Sequence, residues 1–260
     1  MDKYLRSKTF TVVIFLICSS IACKFFSSAE EPAPTKTNVP AESVPTLTEI
    51  PPSEPSPTFT PRPTYTSEID PLEVELLERV QEFADEGLIE STEGEYIDFE
   101  DFVESWPQLG WYQWWEFEDL RLRNFVFLAK FRWSSALSTA EVSGCGIIFA
   151  INGEDHHYGM FLDKSRIQFT RADARYWYEV GKSRGTGRVN FGNPAEAEVA
   201  FVVNEYKAYV YVDKEFIGEY ALSKDKPLEG GMGFSVLSGT NKDYGTRCEI
   251  TDARLLSLNP

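Results

Sequence analysis

The chain has 260 residues, with 25 lysines and arginines against 41 acidic residues and a formal net charge of −16. That length allows one large or two small domains. The charge argues against nucleic acid and an anionic membrane surface as partners, since both call for a basic footprint. It is also concentrated. Residues 66–119 hold 18 acidic side chains and one basic, Arg79, whereas residues 120–260 hold 17 and 18 and residues 1–65 hold six of each. Solvation of one face accounts for such a run; a cation or a basic partner is the alternative.

Residues 1–22 have the layout of a secretory signal. Lys3, Arg6 and Lys8 precede the apolar stretch "TFTVVIFLICSSIAC", from Thr9 to Cys23, which ends in small residues. A bilayer span needs about 20 apolar residues, and Lys24 interrupts this one early; an uncleaved membrane anchor is the alternative reading. Cys23 after "SSIA" resembles a bacterial lipobox, in which a small residue precedes the cysteine that receives lipid. Ser20 departs from that pattern, whose third position before the cysteine is usually aliphatic. Cys18 follows the bulky Phe15, Leu16 and Ile17 and fits it worse. The resemblance implies lipidation at Cys23 and an exported protein held at the outer face of the cell membrane.

Residues 23–66 read as a tether. Ten of the fifteen prolines fall between Pro32 and Pro63, and no glycine precedes Gly87. A segment of this composition cannot bury enough apolar surface to offset its chain entropy, and dense proline makes it extended and semi-rigid.

Residues 67–90 carry helix punctuation. In "DPLEVELLERVQEFADEGL", Asp70 suits the N-cap, Pro71 the first helical position, Glu73 the capping-box spacing and Gly87 the residue past the end. Leu72, Leu76, Leu77, Val80, Phe83 and Ala84 form one stripe at helical spacing, with the acids opposite. The spacing predicts a short amphipathic helix packed on the domain that follows.

From about Gly94 the period becomes two. Phe125, Phe127, Ala129, Phe131 and Trp133 share one face of "NFVFLAKFRW", with Val126, Leu128, Lys130 and Arg132 on the other. "CGIIFAI", "RIQFT", "RYWYEV", "EVAFVVN", "KAYVYVD", "EFIGEYAL", "GMGFSVLSG" and "RCEITDARLLSL" follow, divided by Gly, Asn, Asp and Pro. Many short strands without an intervening helix predict an antiparallel sandwich or barrel and exclude βαβ units. The phrases "FRWSSA…SGCGIIFAINGEDHHYGMFLD", "YVYVDKEFIGEY" and "SGTNKDYGTRCEITDARLLSL" resemble the concanavalin A-like lectin/glucanase jelly rolls, above all those of bacterial surface lipoproteins related in shape to laminin-G modules. For residues 91–260 the resemblance implies an all-β, two-sheet antiparallel jelly roll with one concave sheet, and frequent carbohydrate binding. No cofactor is expected; a calcium requirement stays open, and a monomer is expected.

With Cys18 in the signal and Cys23 lipidated, Cys145 and Cys248 remain. Each starts an apolar strand in an exported protein, which suggests one disulfide; two free thiols are the alternative. "NGED" reads as a hairpin turn before the returning strand "HHYGMFLD". Consecutive strand residues point to opposite faces, so His156 should side with Tyr158, Met160 and Leu162, and His157 with Gly159 and Phe161. The pair is then the edge of a turn rather than a metal site, which needs three or four ligands.

Cleavage of β-glucans on this fold uses an E-x-D-x-x-E strand and two facing carboxylates. "WWEFEDL" is the nearest candidate, with Glu116 and Glu118 on one face and Asp119 on the other; it lacks the order and the third acid. Glu196 and Glu198 alternate as solvent-face residues would. Nucleophile and phosphate-loop motifs are absent. The sequence therefore points to a non-catalytic binding module, with a glycosidase or a structural, adhesive module as alternatives. Aromatic candidates for stacking on a pyranose are Trp111, Tyr112, Trp114, Trp115, Tyr176, Trp177, Tyr178, Tyr209 and Tyr211. Tyr209 and Tyr211 alternate against Ala208, Val210 and Val212 and share their face with Lys207 and Asp213, which predicts a solvent-facing platform; Trp177 and Trp114 are the further ligand candidates.

Overall fold

A computed structural model describes residues 70–259, except 141, 154–155, 165, 175 and 186–191. The signal, Cys23 and the tether lie outside the described residues. The first element is a helix, α1 (Pro71–Asp85), with Asp70 as N-cap. The Asp70 carboxylate accepts from the Leu72 N–H at 2.9 Å, Pro71 occupies the first helical position, and Gly87 adopts φ +73° just past the end. These are the caps that the sequence spacing predicts.

Fourteen strands follow among the described residues: β1 (Gly94–Asp98), β2 (Phe102–Trp106), β3 (Leu109–Glu116), β4 (Phe125–Ser135), β5 (Ser143–Ile151), β6 (His156–Asp163), β7 (Arg166–Asp173), β8 (Tyr176–Glu179), β9 (Arg184–Gly185), β10 (Ala195–Asn204), β11 (Lys207–Val212), β12 (Glu215–Ala221), β13 (Gly231–Gly239) and β14 (Thr246–Leu258). They form two antiparallel sheets. The first has the order β1-β14-β4-β10-β11-β12, with β2 also on β14; the second runs β3-β13-β5-β6-β7-β8, with β9 also on β7. This two-sheet antiparallel sandwich behind a single helix is the architecture the resemblance implies.

Alternation along the strands builds the core. Phe125, Phe127, Phe131, Val199, Phe201, Val210 and Ile250 of the first sheet meet Ile147, Phe149, Tyr158, Met160, Phe169 and Phe234 of the second. Facing sheets normally sit about 10 Å apart, but near one end the Cα atoms of Cys145 and Cys248 are 5.3 Å apart and their side chains are bonded. The disulfide stitches β5 of one sheet to β14 of the other, and the neighbouring Ser143 and Thr246 hydroxyls add a 2.8 Å hydrogen bond.

The outer face of the first sheet is partly covered by α1. Leu76, Val80 and Phe83 bury themselves against Val126, Leu128, Val202, Leu256, Tyr209 and Tyr211. Polar contacts fix the helix: the buried Arg254 guanidinium pairs with Glu75, the Tyr211 hydroxyl donates to the Glu86 carboxylate at 2.8 Å, and the Asn204 amide donates to the Leu88 carbonyl at 2.8 Å. The Phe83 and Tyr211 ring centroids lie 5.0 Å apart. The solvent-facing platform expected of Tyr209 and Tyr211 is thereby corrected. They do point away from the core, but they are only 7% and 6% exposed, because the apolar stripe of α1 needs an apolar bed and this face supplies it. What remains of them borders an open depression of about 450 Å³ with Glu86, Leu88, Lys214, Phe216 and Glu219. Beyond the helix the same face is an ionic lattice. Arg132 bridges Glu196 at 2.9 Å and Glu249 at 3.1 Å, and Lys130 pairs with Asp252 at 2.7 Å. Glu196 is thus a solvent-face residue, as its alternation predicts.

Candidate functional site: the outer face of the second sheet

On the second sheet the residues that turn away from the core follow from the pairing register. One row runs Trp114–Ser235–Gly146–Phe161–Gln168, the next Tyr112–Leu237–Gly144–Asp163–Arg166, and a third Glu116–Gly233–Ile148–Gly159–Thr170–Glu179. His157, Ala172 and Trp177 follow on the same side. Glycine recurs in the middle strands for a packing reason. A Cβ on Gly146 would collide with the Phe161 ring, and one on Gly159 would sit 2.7 Å from it. Missing side chains on β5 and β6 are what let Phe161 lie down on the sheet.

Above that floor Tyr112 reaches across. Its hydroxyl lies 2.6 Å from His157 Nε2, and its ring is 5.3 Å from Phe161 and 6.4 Å from Trp177. β3 and β6 are three strand spacings apart and β3 and β8 five, about 14 Å and 24 Å in a flat sheet. Two side chains cannot span the larger gap, so the sheet curls toward this face, and its corners at Tyr112 and Trp177 approach each other. Trp114 closes on His157 at 5.0 Å, and Trp111 stacks on Tyr112 at 5.9 Å with the ring planes 14° apart. The result is a curved face with an aromatic floor. At its rim Trp177 is 44% exposed.

The central pair is uncharged at neutral pH. Burial, with a smaller contribution from His156, lowers the His157 pKa to about 4. Burial pushes Tyr112 up to about 12, opposed by the Trp177 indole. A phenol and a neutral imidazole therefore share the 2.6 Å bond, and His157 Nδ1 has no partner among the described residues. On the same face Asp163 is enclosed; its carboxylate accepts from the Ser143 N–H at 2.7 Å and from Arg166 at 2.9 Å and 3.1 Å, while burial raises its pKa.

The structure brings together the predicted Trp114 and Trp177 and separates them from Tyr209 and Tyr211, which sit on the other sheet beneath α1. Trp115 turns toward the core. Tyr176 and Tyr178 leave β8 on the opposite side from Trp177, where Arg171 lies 5.3 Å over Tyr178. His156 and His157 alternate as expected: His156 packs near Tyr158 on the core side at 5.9 Å and His157 joins the outer face. Among the described residues no group of three or more His, Cys, Asp or Glu is placed to hold a metal ion. Glu116 ends β3 on the outer face, whereas Glu118 and Asp119 fall in the turn after it. Sequence reasoning misses the Tyr112–His157 bond and the place of Phe161. The available signal is glycine at alternate positions, Gly144 and Gly146 in one strand and Gly159 in the next, which marks one face as overlaid by a ring.

No family model matches the chain, and no curated protein matches it. Among solved structures it is similar to a carbohydrate-binding module from Bacillus subtilis, at 8% identity over 62% of this chain and 95% of that one, with a TM-score of 0.46. It is also similar to sheep galectin-11 in complex with glycerol, at 15% identity over 57% and 98% with a TM-score of 0.38. A Bacillus licheniformis beta-glucanase follows at 10% identity over 54% and 69%, with a TM-score of 0.41. All three TM-scores lie below 0.5, so these proteins say nothing about what this chain binds.

Proposed function

We propose that this is a non-catalytic glycan-binding module, exported and held at the cell surface through its N-terminal segment, with its site on the curled face of the second sheet. One observation carries the reading. Exposed Trp177 lies beside Tyr112, with Trp114 and His157, on a concave surface, which offers indole faces to the apolar side of a pyranose and polar atoms to its hydroxyls. Stacking on one aromatic is worth about 1–3 kcal/mol where it has been measured for bases, so a single site of this kind is weak. Many tethered copies on one surface compensate through effective concentration.

The test is a glycan array probed with the full chain in detergent. Binding of at least one saccharide is expected, weakened by Trp177→Ala and Trp114→Ala. Absence of binding to every glycan moves the assignment to a structural or adhesive module. Release of reducing sugar from a bound polysaccharide moves it to a glycoside hydrolase, for which Glu116 and Glu179 are the carboxylates to replace first.

A further inference from the structure

Two enclosed polar atoms on the curled face lack a partner. His157 is 3% exposed and its Nδ1 makes no hydrogen bond among the described residues, and Gln168 Oε1 is likewise enclosed and unpaired among them. Both side chains leave the sheet on the same side, since His157 pairs with Ala172 and Gln168 with Phe161 on adjoining strands. An enclosed polar atom left without a partner costs about 1–3 kcal/mol, and native proteins keep few of them without a reason such as a ligand or water. Both atoms belong to neutral groups.

The charges around them have one sign. The described strand residues of this face carry three carboxylates, Glu116, Asp163 and Glu179. The one guanidinium among them, Arg166, is spent on Asp163 at 2.9 Å. An anionic ligand would enter a low-dielectric concavity that offers it carboxylates and no free cation from these strands, and like charges across an interface are strongly disfavoured.

We propose that this site takes an uncharged sugar, read at its hydroxyl groups by His157 Nδ1 and Gln168 Oε1, and that it rejects uronate, sialylated and sulfated glycans. The proposal rests on the glycan-binding reading above and adds to it a ligand class and two specificity residues. Tyr112 acts through His157: its hydroxyl occupies Nε2 and leaves Nδ1 as the ring atom still free to bond.

The experiment is an array of matched pairs with the full chain: galactan against polygalacturonan, chitin oligosaccharides against hyaluronan, and N-acetyllactosamine against its sialylated form. The uncharged member of a bound pair should bind at least tenfold more tightly. Calorimetry with the best-bound oligosaccharide should then give roughly tenfold weaker binding for His157→Phe and for Gln168→Leu, the loss expected for one hydrogen bond. His157→Asn keeps a polar atom close to the Nδ1 position and should recover part of that loss, which a purely structural role would not produce. Equal or tighter binding of the anionic members overturns the proposal and leaves the glycan reading standing, as does unchanged affinity in both variants. Absence of binding to every glycan overturns both. If His157→Phe fails to fold, Gln168→Leu and the selectivity of the natural chain still decide.

Discussion

Acidification isolates the buried imidazole. In the folded chain His157 titrates at about 4, because burial disfavours its charged form and His156 adds to the effect; in the unfolded chain it titrates near 6.5. Between those values the unfolded state holds a proton that the native state does not, so stability rises with pH through the window and is lost as pH falls from about 6.5 toward 4. The gap corresponds to about 3 kcal/mol. His156, also lowered by burial and by Lys226, adds loss of the same sign. Asp163 works the other way, since burial raises it, and Asp173, lowered by Lys226, acts mainly below the window. Besides His156, the rings packed on His157 are Tyr112 and Trp114, neither of which titrates there. Urea unfolding of the natural chain and of His157→Phe at pH 7, 6, 5 and 4.5 measures the difference. The natural chain should lose about 2.4 kcal/mol more than the variant over this range. Parallel pH profiles for the two proteins, or an imidazole resonance that titrates near 6.5, would refute the reasoning.

The docked helix gives a second test. Tyr211→Phe removes the hydroxyl donated to Glu86 and should cost about 2 kcal/mol, as bonds to charged groups do, with glycan binding unchanged; a change in binding instead would return Tyr211 to the ligand site. Phe83→Ala empties a site of 0% exposure beneath α1 and should cost about 3–5 kcal/mol in thermal or urea unfolding, and a loss under about 1 kcal/mol would mean that the helix is not docked. Replacing Cys145 and Cys248 together by alanine should cost about 2–5 kcal/mol, while non-reducing peptide mapping of the natural chain should recover one linked pair. Two free thiols in that map would remove the bridge.

Much of the fold was legible because it is written in local periods. The caps of α1 rest on Asp70, Pro71 and Gly87, three residues whose backbone preferences act within one turn. The faces of β4 follow from strict alternation over Phe125 to Trp133, and β6 runs from His156 to Asp163 as the turn signal before it predicts. β1, β2 and β3 were harder to read. "GEYID", "FVESW" and "LGWYQWWE" lie in or beside the acidic run, and their burial is partial, so neither hydrophobic alternation nor composition sets them apart. The site was legible as a set of residue types and not as a place. Trp114 and Trp177 stand 63 residues apart in the chain and come together only because the sheet curls, a property of twist and of the strand order β3-β13-β5-β6-β7-β8 that no local pattern encodes. Alternation correctly turned Tyr209 and Tyr211 away from the core, but it carries no information on what lies over a face. That cover comes from a helix more than a hundred residues earlier in the sequence.

The two outer faces differ because of what their strands leave unfilled. On the first sheet the face away from the core is built from Val126, Leu128, Val202 and Leu256, side chains that project and have no polar atoms. Such a surface left in water forfeits about 25 cal/mol for each Å², and the Leu76–Val80–Phe83 stripe of α1 removes it from solvent. On the second sheet many of the central positions are instead held by Gly144, Gly146, Gly159, Gly233 and Ser235, which project little or nothing, with Ile148 and Leu237 between them. A helix laid there would find a hollow. The chain fills the hollow itself with Phe161 and Tyr112, rings that come from the sheet's own strands and leave their outer edges and the tryptophans beside them uncovered. One face is therefore complete once α1 docks. The other remains concave, aromatic and edged with enclosed polar atoms that lack partners among the described residues, and that asymmetry is why the proposed binding site is placed on the second sheet and the tyrosines of the first are read as packing for α1.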